Sequence, residues 1–188
     1  MSNLHRIPPS SHRRTRWKND GGWTTEIARS GEDDFRWRIS IAEIESDGPF
    51  SSFPGIDRDL LLLEGNGIEL DIDDAPPRRL VQRFERVQFA GEAKVDCRLV
   101  AGPTRDLNLM LKGVPGSMRR VVAAQAWRPD TRECGLYAIT AGACEATAPD
   151  ERAPMPAHAL RWWSQAPEAL AFAGEGWWLG AGAKEAAP

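Results

Sequence analysis

Short segments with a period of two residues dominate the sequence and restrict it to a β-rich fold. In residues 35–44, Trp37, Ile39 and Ile41 alternate with more polar side chains, which is typical of a half-buried strand. Residues 60–63 form an apolar run of strand length, and the Glu-Gly-Asn-Gly turn after it leads into a second alternating segment, which predicts a hairpin. We expect further strands at residues 24–29, 94–100, 106–111, 119–127, 136–140, 159–163 and 177–180, and room for a short helix only near 164–171. Many short strands separated by turns indicate a β-sandwich or barrel.

The chain also repeats itself. The sequence Phe-Ala-Gly-Glu at residues 89–92 recurs at 172–175, and the hairpin of residues 61–70 has a weaker counterpart at 137–146. The hairpin precedes the tetrapeptide in both copies, and a longer loop at 148–156 accounts for the unequal offsets. The same order twice favours an internal duplication.

Two related halves follow from this duplication. We predict an N-terminal half, residues 1–111, which contains the pocket, and a degenerate C-terminal half, residues 112–188. A Lys-Gly-Val-Pro-Gly-Ser linker near 112–118 joins them, and we expect the two to pack as one compact unit.

Charge and cysteine usage exclude several classes of function. The net charge of the 188-residue chain is -3, so we do not expect nucleic acid or an anionic membrane to be its main partner. The basic residues Arg13, Arg14 and Arg16 are predicted to form a solvated N-terminal arm. Three widely spaced cysteines argue against a disulfide framework and fit a reducing cytosol. With no apolar run long enough for a membrane span or a signal peptide, we expect a cytoplasmic protein.

The sequence lacks the ligand set of an ordinary metal enzyme. Its three histidines, His5, His12 and His158, are isolated from one another, so we predict no metal site and no cofactor. There is also no G-x-S-x-G motif and no cysteine with a nearby histidine and acid, which argues against nucleophilic catalysis.

Polar side chains on the strands predict a pocket instead. Arg38 and Ser40 share one strand face, and Glu26 lies on the polar face of the preceding segment. Asp106 and Asn108 share a face of a third strand. A buried arginine is costly without a charge partner, so either Glu26 or Asp106 forms an internal salt bridge with it, or a ligand carboxylate binds it. The residues alone leave these alternatives open.

Several motifs resemble those of one protein family. Residues 17–27, Trp-Lys-Asn-Asp-Gly-Gly-Trp-Thr-Thr-Glu-Ile, resemble the W-K-N-G-G-G-x-T-x-E-I opening of the HutD/Ves family. Residues 37–42 and 47–58 resemble its central signature, which 89–92 and 105–110 continue. The resemblance covers residues 17–110 strongly and the remainder faintly. Two positions depart from the pattern: Asp20 replaces a glycine and could alter a turn, and Leu107 replaces a phenylalanine.

The resemblance implies a bicupin, an all-β fold of two cupin-type jelly-roll halves, and a protein without settled enzymatic activity. One branch of the family is associated with histidine utilisation, where it is thought to restrain the pathway by binding an intermediate such as urocanate or N-formylglutamate. The other branch is linked to stress or cold response, and the sequence does not distinguish the two.

Our first hypothesis is a metal-free binding protein for a small carboxylate-bearing metabolite. Arg38 or Arg58 would hold the carboxylate, and Trp17 would form an apolar wall. Asp57 and Arg58 are neighbours, so in a regular strand only one of them faces inward. The complete set of predicted ligand-binding residues is Trp17, Lys18, Asn19, Glu26, Arg38, Ser40, Asp57, Arg58 and Asn108.

Two other hypotheses remain open. The chain could be a metal-independent isomerase, lyase or hydrolase that uses Glu26 or Asp57 as general base. Alternatively, it could be an interaction protein without a small ligand, with an exposed apolar patch around Trp162-Trp163 or Trp177-Trp178 for a partner or a homodimer. The other reading places these tryptophans in a core, because large aromatic side chains in a β-barrel are typically buried.

Overall fold

The computed structural model describes residues 3–32, 34–122, 125–146 and 153–183, and their regular secondary structure is almost entirely β-strand. One short 3-10 helix, Pro9–Ser11, interrupts the strands. No helix in these ranges is long and apolar enough to span a membrane. The strands are β1 (Leu4–Ile7), β2 (Arg13–Arg16), β3 (Gly22–Arg29), β4 (Trp37–Ile44), β5 (Gly48–Pro49), β6 (Ile56–Glu64), β7 (Ile68–Ile72), β8 (Arg78–Leu80), β9 (Arg86–Ala90), β10 (Val95–Leu99), β11 (Thr104–Lys112), β12 (Gly116–Arg120), β13 (Thr131–Ala138), β14 (Gly142–Ala146), β15 (Ala153–Met155), β16 (Leu160–Trp163), β17 (Leu170–Ala173) and β18 (Gly176–Ala183).

The first compact unit comprises residues 13–113 and consists of two antiparallel sheets. A six-stranded sheet has the order β2-β3-β4-β11-β6-β9, and a four-stranded sheet has the order β5-β10-β7-β8. Leu60 and Leu62 of β6, Leu70 of β7 and Val95 of β10 belong to one buried apolar cluster. Because side chains alternate along a strand, this cluster uses every second residue of β6 and leaves the others for the opposite face.

The second compact unit comprises residues 1–12 and 114–188. Its five-stranded sheet has the order β1-β16-β13-β18-β12, and its three-stranded sheet has the order β15-β14-β17. Tryptophans fill its core. Trp127 stacks on Trp178 with ring centroids 5.2 Å apart, and Trp163 belongs to the same cluster.

The two units repeat one connectivity, which confirms the predicted duplication. Strand β6 lies between β11 and β9, as β13 lies between β18 and β16. Strand β7 lies between β10 and β8, as β14 lies between β17 and β15. The hairpins β6–β7 and β13–β14 are therefore equivalent, and they contain the segments 61–70 and 137–146 that the sequence paired.

The Phe-Ala-Gly-Glu match, by contrast, does not trace the duplication. Phe89 lies in β9, whereas Phe172 lies in β17, and the equivalent of β17 in the first unit is β10. Gly91 and Gly174 also have different neighbours. A Cβ on Gly91 would lie 2.3 Å from the Phe53 carbonyl oxygen, and one on Gly174 would lie 2.6 Å from the Phe172 ring.

The N-terminal segment departs from its prediction. Residues 1–12 belong to the second unit rather than to the predicted half of 1–111, because β1 pairs with β16. The predicted solvated arm is wrong too, since Arg13–Arg16 form strand β2 of the six-stranded sheet. Arg14 pairs with Glu43 at 2.6 Å and lies over the Trp23 ring at 4.1 Å.

Three further expectations are corrected or fall partly outside the described residues. The strand predicted at 119–127 ends at Arg120, and residues 123 and 124 are among those not described. No helix forms within 164–171, where the polypeptide is irregular until β17 begins at Leu170. In the predicted loop 148–156, residues 153–155 form β15, and 148–152 lie outside the described ranges.

The tryptophan pairs form no exposed patch. The exposed fractions of Trp162, Trp163, Trp177 and Trp178 are 2%, 2%, 6% and 2%. Trp162 donates a hydrogen bond from Nε1 to Glu133 Oε2 at 3.2 Å, which satisfies its polar atom. All four therefore belong to the interior.

Candidate functional site

A cavity of about 500 Å³ opens inside the first unit. Strands β4 and β11 supply one wall, and β5 with the loop after it supplies another. The lining combines apolar side chains with a few polar and basic groups, as in many small-molecule sites. The lining residues are Arg16, Trp17, Lys18, Asn19, Thr24, Arg38, Ser40, Ala42, Pro49, Phe50, Ser51, Phe53, Arg58, Leu60, Asn108 and Met110.

The register between β4 and β11 sets the polar wall. Ser40 lies opposite Asn108, and Arg38 lies opposite Met110. The period of two turns all four side chains to the same face of the sheet, and all four line the cavity. Ser40 is 3% exposed, and its hydroxyl has no hydrogen-bond partner among the residues that the structure describes.

Arg58 projects from β6 into the cavity and is surrounded by phenylalanine rings. Its exposed fraction is 7%. The guanidinium carbon lies 4.8 Å from the Phe89 ring centroid, 5.2 Å from Phe50 and 5.6 Å from Phe53. Such cation–π contacts hold the guanidinium in place without neutralising its charge. The edges of the guanidinium are therefore the part that remains for polar partners.

The polar contacts of Arg58 are few. Its Nη2 donates to Asn108 Oδ1 at 3.3 Å, and its Nε is buried without a hydrogen-bond partner. No carboxylate in the ranges 3–32, 34–122, 125–146 and 153–183 forms an ion pair with it. Burial, reinforced by the positive charge of Arg38, lowers the pKa of Arg58 to about 10. Arg58 is thus a buried cation without a counter-ion.

Arg38, unlike Arg58, has a counter-ion. Its Nε donates to Glu26 Oε2 at 2.6 Å, and its Nη1 lies 3.9 Å from Met110 Sδ. The other oxygen of Glu26 lies 3.5 Å from Arg29 Nε. Of the two partners that the sequence allowed for Arg38, the structure selects Glu26.

The turn after β2 closes one end of the cavity. Trp17 donates from Nε1 to Thr24 Oγ1 at 2.8 Å and meets the Phe50 ring edge-on at 6.4 Å. Asn19 Oδ1 accepts a hydrogen bond from the Gly21 amide at 3.1 Å. Lys18 is exposed at the rim. These contacts leave the Asn19 amide nitrogen and the Lys18 ammonium for other partners.

Asp20, one of the two departures from the motif that the sequence resembles, has the conformation that glycine favours. Asp20 has a φ of 57°, in the left-handed region, which aspartate tolerates better than most residues. Its carboxylate lies 3.4 Å from Arg16 Nε. The departure therefore leaves the turn intact.

The structure brings most of the predicted residues together, with two exceptions. Trp17, Lys18, Asn19, Arg38, Ser40, Arg58 and Asn108 all line the cavity. Glu26 lies behind Arg38 and contributes through that ion pair. Asp57 is exposed on the other face of β6 because Arg58 takes the inward position, so Asp57 is not part of the site.

The rings around Arg58 are the part that the sequence reasoning missed. Phe50 and Phe53 lie in the irregular segment after β5, where no period reveals which side chains point inward. Main-chain bonds fix this segment: the Phe50 amide donates to Val95 O at 2.8 Å, and the Phe53 amide donates to Gly91 O at 2.7 Å. The glycine at 91 permits that close approach.

Asp106 is buried in the same unit beyond the described cavity lining. Its exposed fraction is 0%, and neither carboxyl oxygen has a hydrogen-bond partner among the described residues. Burial raises the pKa of Asp106 to about 8. Burial, together with the charge of Asp106, also raises the pKa of the Cys97 thiol to about 12.

Two units with one connectivity, each built from two antiparallel sheets, define a bicupin. The chain belongs to the HutD family, whose model matches residues 9–179. It is similar to an uncharacterized 21.2 kDa protein in the hutC 3' region of Pseudomonas putida, with 45% identity over 113 residues, 58% of this chain and 59% of that protein. It is also similar to protein Ves of Citrobacter koseri, with 39% identity over 99 residues, 51% of each chain. The matches span little more than half the length of these curated relatives.

Solved structures show the same fold over nearly the whole chain. HutD from Pseudomonas fluorescens SBW25 superposes with a TM-score of 0.83 at 25% identity, covering 96% of this chain and 99% of that one. A conserved protein of unknown function from Pseudomonas aeruginosa PAO1 superposes with a TM-score of 0.83 at 28% identity, with the same coverage of both chains. Bacillus subtilis oxalate decarboxylase shares the fold alone, with a TM-score of 0.65 at 9% identity, covering 99% of this chain and 79% of that one.

The donor set of the cavity does not suit a metal. One structure that shares the fold alone, at 6% identity and a TM-score of 0.66, is the Streptomyces albus HEPD, which was solved with Fe(II) bound. Here the polar lining consists of guanidinium, ammonium, amide and hydroxyl groups, not the imidazoles and carboxylates that bind such ions. Among the described residues, no three histidine, cysteine, aspartate or glutamate side chains lie together in a metal-binding arrangement.

Proposed function

We propose that this protein binds a small carboxylate-bearing metabolite in the cavity of residues 13–113, without a metal, and that Arg58 holds the carboxylate. The observation that carries the proposal is the state of Arg58: 7% exposed, with a neutral amide as its hydrogen-bond partner. A buried ion without a counter-ion is costly to a folded protein. A ligand carboxylate would remove that cost.

The geometry of Arg58 suits a carboxylate. Its aromatic neighbours pack against the guanidinium, so a ligand approaches along its edge, where Nε still needs an acceptor. The guanidinium edge presents two parallel N–H groups, which match the two oxygens of a carboxylate. Asn108 Nδ2, now 3.4 Å from the Asp106 carbonyl oxygen, can add a further bond.

The remainder of the ligand would contact mixed surfaces. Trp17, Phe50 and Leu60 offer apolar walls, and Ser40 and Asn19 offer hydrogen-bonding groups. The volume of about 500 Å³ lies within the range of ordinary small-molecule sites. These features fit a compact acid with an apolar or planar body and one further polar group.

The family suggests where such an acid would come from. The Pseudomonas putida relative is described by its position in the hutC 3' region, and a close structural match is HutD. We therefore propose urocanate and N-formylglutamate as the first candidate ligands, with a regulatory role in histidine utilisation. Neither acid named for the enzyme alternative is placed as a general base, because Glu26 is engaged by two arginines and Asp57 points away.

Thermal unfolding of the chelator-treated protein against a panel of ligands tests this proposal. The panel contains urocanate, N-formylglutamate, other small carboxylates and divalent metals. A ligand at one hundred times its Kd is expected to raise the free energy of unfolding by about 2.7 kcal/mol. A shift with carboxylates and none with metals supports the proposal, whereas a shift with metals alone contradicts it.

A further inference from the structure

The charges around the cavity are strongly one-sided. Four basic side chains line it, Arg16, Lys18, Arg38 and Arg58, and no carboxylate does. Arg16 is paired with Asp20 and Glu45, and Arg38 is paired with Glu26. Lys18 and Arg58 therefore remain uncompensated among the described residues. The cavity has an excess of positive charge even after its internal ion pairs are counted.

The nearby acids do not supply a free negative charge to a ligand. Each oxygen of Glu26 faces an arginine, Arg38 at 2.6 Å and Arg29 at 3.5 Å. Asp57 is on the other face of its strand. Asp106 lies beyond the lining, and its raised pKa, about 8, keeps it neutral at pH 7. A ligand ammonium group placed in this cavity would thus meet cations and no anion.

We propose that the cavity selects carboxylates that carry no free ammonium group, so that it accepts deaminated or N-acylated acids and excludes the parent amino acids. This inference rests on the proposed carboxylate site. A zwitterionic amino acid would gain the Arg58 contact, but its ammonium would lose water without gaining a counter-ion and would repel the cations of the lining. An acid whose amino group has been removed or acylated keeps the contact with Arg58. It has no ammonium group to be desolvated or to repel the cations of the lining.

The selectivity is electrostatic rather than steric. An N-acyl group is larger than the ammonium it replaces, so exclusion by size would favour the amino acid. The charge of the cavity predicts the reverse order. A protein with this preference distinguishes the product of a deamination or N-acylation from the amino acid that supplied it, which is the distinction that a sensor of such a reaction requires.

Calorimetric titration with matched pairs of acids tests the inference. One pair is N-acetylglutamate and glutamate, and the other is imidazolepropionate and histidine. In at least one pair, we expect the acid without the ammonium to bind roughly tenfold more tightly or better than its amino acid. Equal binding, or tighter binding of the amino acid, overturns this inference and leaves the carboxylate site standing. No binding of any of the four, nor of urocanate and N-formylglutamate, overturns both.

Variants at the rim provide an internal test that does not depend on the fit of one probe. Lys18 is exposed, so Lys18→Gln and Lys18→Glu should fold as the wild type does, which thermal unfolding verifies. The preference for the acid over the amino acid should fall in the order wild type, Lys18→Gln, Lys18→Glu, as positive charge is removed and then reversed. If the ratio of the affinities for the acid and its amino acid is the same in the three proteins, the selectivity does not have an electrostatic origin.

Discussion

Replacement of Asn108 by aspartate is expected to stabilise the protein and to abolish its binding of carboxylates. The substitution keeps the shape of the side chain that accepts the Arg58 bond at 3.3 Å and gives the buried guanidinium a counter-ion. A charge-assisted bond in place of a neutral one should raise the free energy of unfolding by about 1–2 kcal/mol, even after loss of the long Asn108 bond to the Asp106 carbonyl. The new carboxylate would pair with the Arg58 guanidinium in place of the ligand carboxylate. We therefore expect the affinity for carboxylate ligands to fall roughly a hundredfold or more.

The opposite signs of the two effects make this variant informative. Urea unfolding measures the change in the free energy of unfolding, and calorimetric titration with the carboxylate that binds best in the panel measures the change in affinity. Asn108→Ala is the matched control, and it should lower stability because Arg58 loses its amide partner. If Asn108→Asp destabilises the fold, or if it binds carboxylates as the wild type does, the description of Arg58 as an unpaired cation is wrong.

Replacement of Asp106 by asparagine is expected to remove a large pH dependence of stability. Burial holds the pKa of Asp106 near 8 in the folded protein, against an ordinary value of 3.8. Between these values the folded protein keeps a proton that the unfolded chain has released, so stability falls as pH rises. The slope is about 1.4 kcal/mol per pH unit between roughly pH 4 and 8, and the contribution is greatest below pH 4.

The comparison with the wild type isolates this contribution, because the other titrating groups are common to both proteins. Free energies of unfolding measured from pH 5 to pH 8 should diverge progressively, with Asp106→Asn the more stable at pH 8. Asp57→Asn is a suitable control because that carboxylate is exposed, and its curve should follow the wild type. Parallel curves for Asp106→Asn and the wild type would show that Asp106 is ionised in the folded state.

Both predictions concern polar groups that the fold buries without full satisfaction. Such groups are rare in folded proteins and concentrate where a protein binds or reacts. Arg161 in the second unit shows the ordinary solution. It is 4% exposed, and its guanidinium donates to the carbonyl oxygens of Ala153 at 3.0 Å and Pro154 at 3.2 Å. Arg58 has no comparable set of acceptors, which is why we assign it to a ligand.

The sequence predicted the faces of the central strands well, because burial of one face fixes their register. In β4 and β11, a shift of one residue would exchange the two faces of each strand and bring buried apolar side chains such as Ile39 and Leu109 into the cavity, so the period of two is reliable there. Arg38, Ser40 and Asn108 were accordingly expected on the inner face, and all three line the cavity.

The partner of Arg38 could not be predicted, since it depends on the alignment of three strands. Glu26 lies opposite Ser40, two residues from Arg38, across the β3–β4 pairing. Asp106 lies opposite Ala42, four residues from Arg38, across the β4–β11 pairing. An inward orientation alone makes both acids candidates, and only the register between neighbouring strands separates them.

Long-range pairing also explains the errors at the N-terminus and around Arg58. Strand β1 has only four residues, Leu4–Ile7, and it becomes a strand because β16 lies beside it, some 150 residues away in the chain. Phe50 and Phe53 are placed by main-chain bonds of an irregular segment rather than by a period. Neither the β1–β16 pairing nor the main-chain bonds of the segment that contains Phe50 and Phe53 can be predicted from the local sequence.

Titration of the wild type and of Arg58→Met with urocanate and N-formylglutamate tests the central claim most directly. Methionine fills similar space among the phenylalanine rings and removes the uncompensated charge, so the variant should fold with stability equal to or above that of the wild type. We predict measurable binding of at least one of these acids to the wild type and a loss of roughly a hundredfold or more in the variant. Equal affinity in the two proteins would show that Arg58 does not hold the carboxylate and would contradict the proposed site.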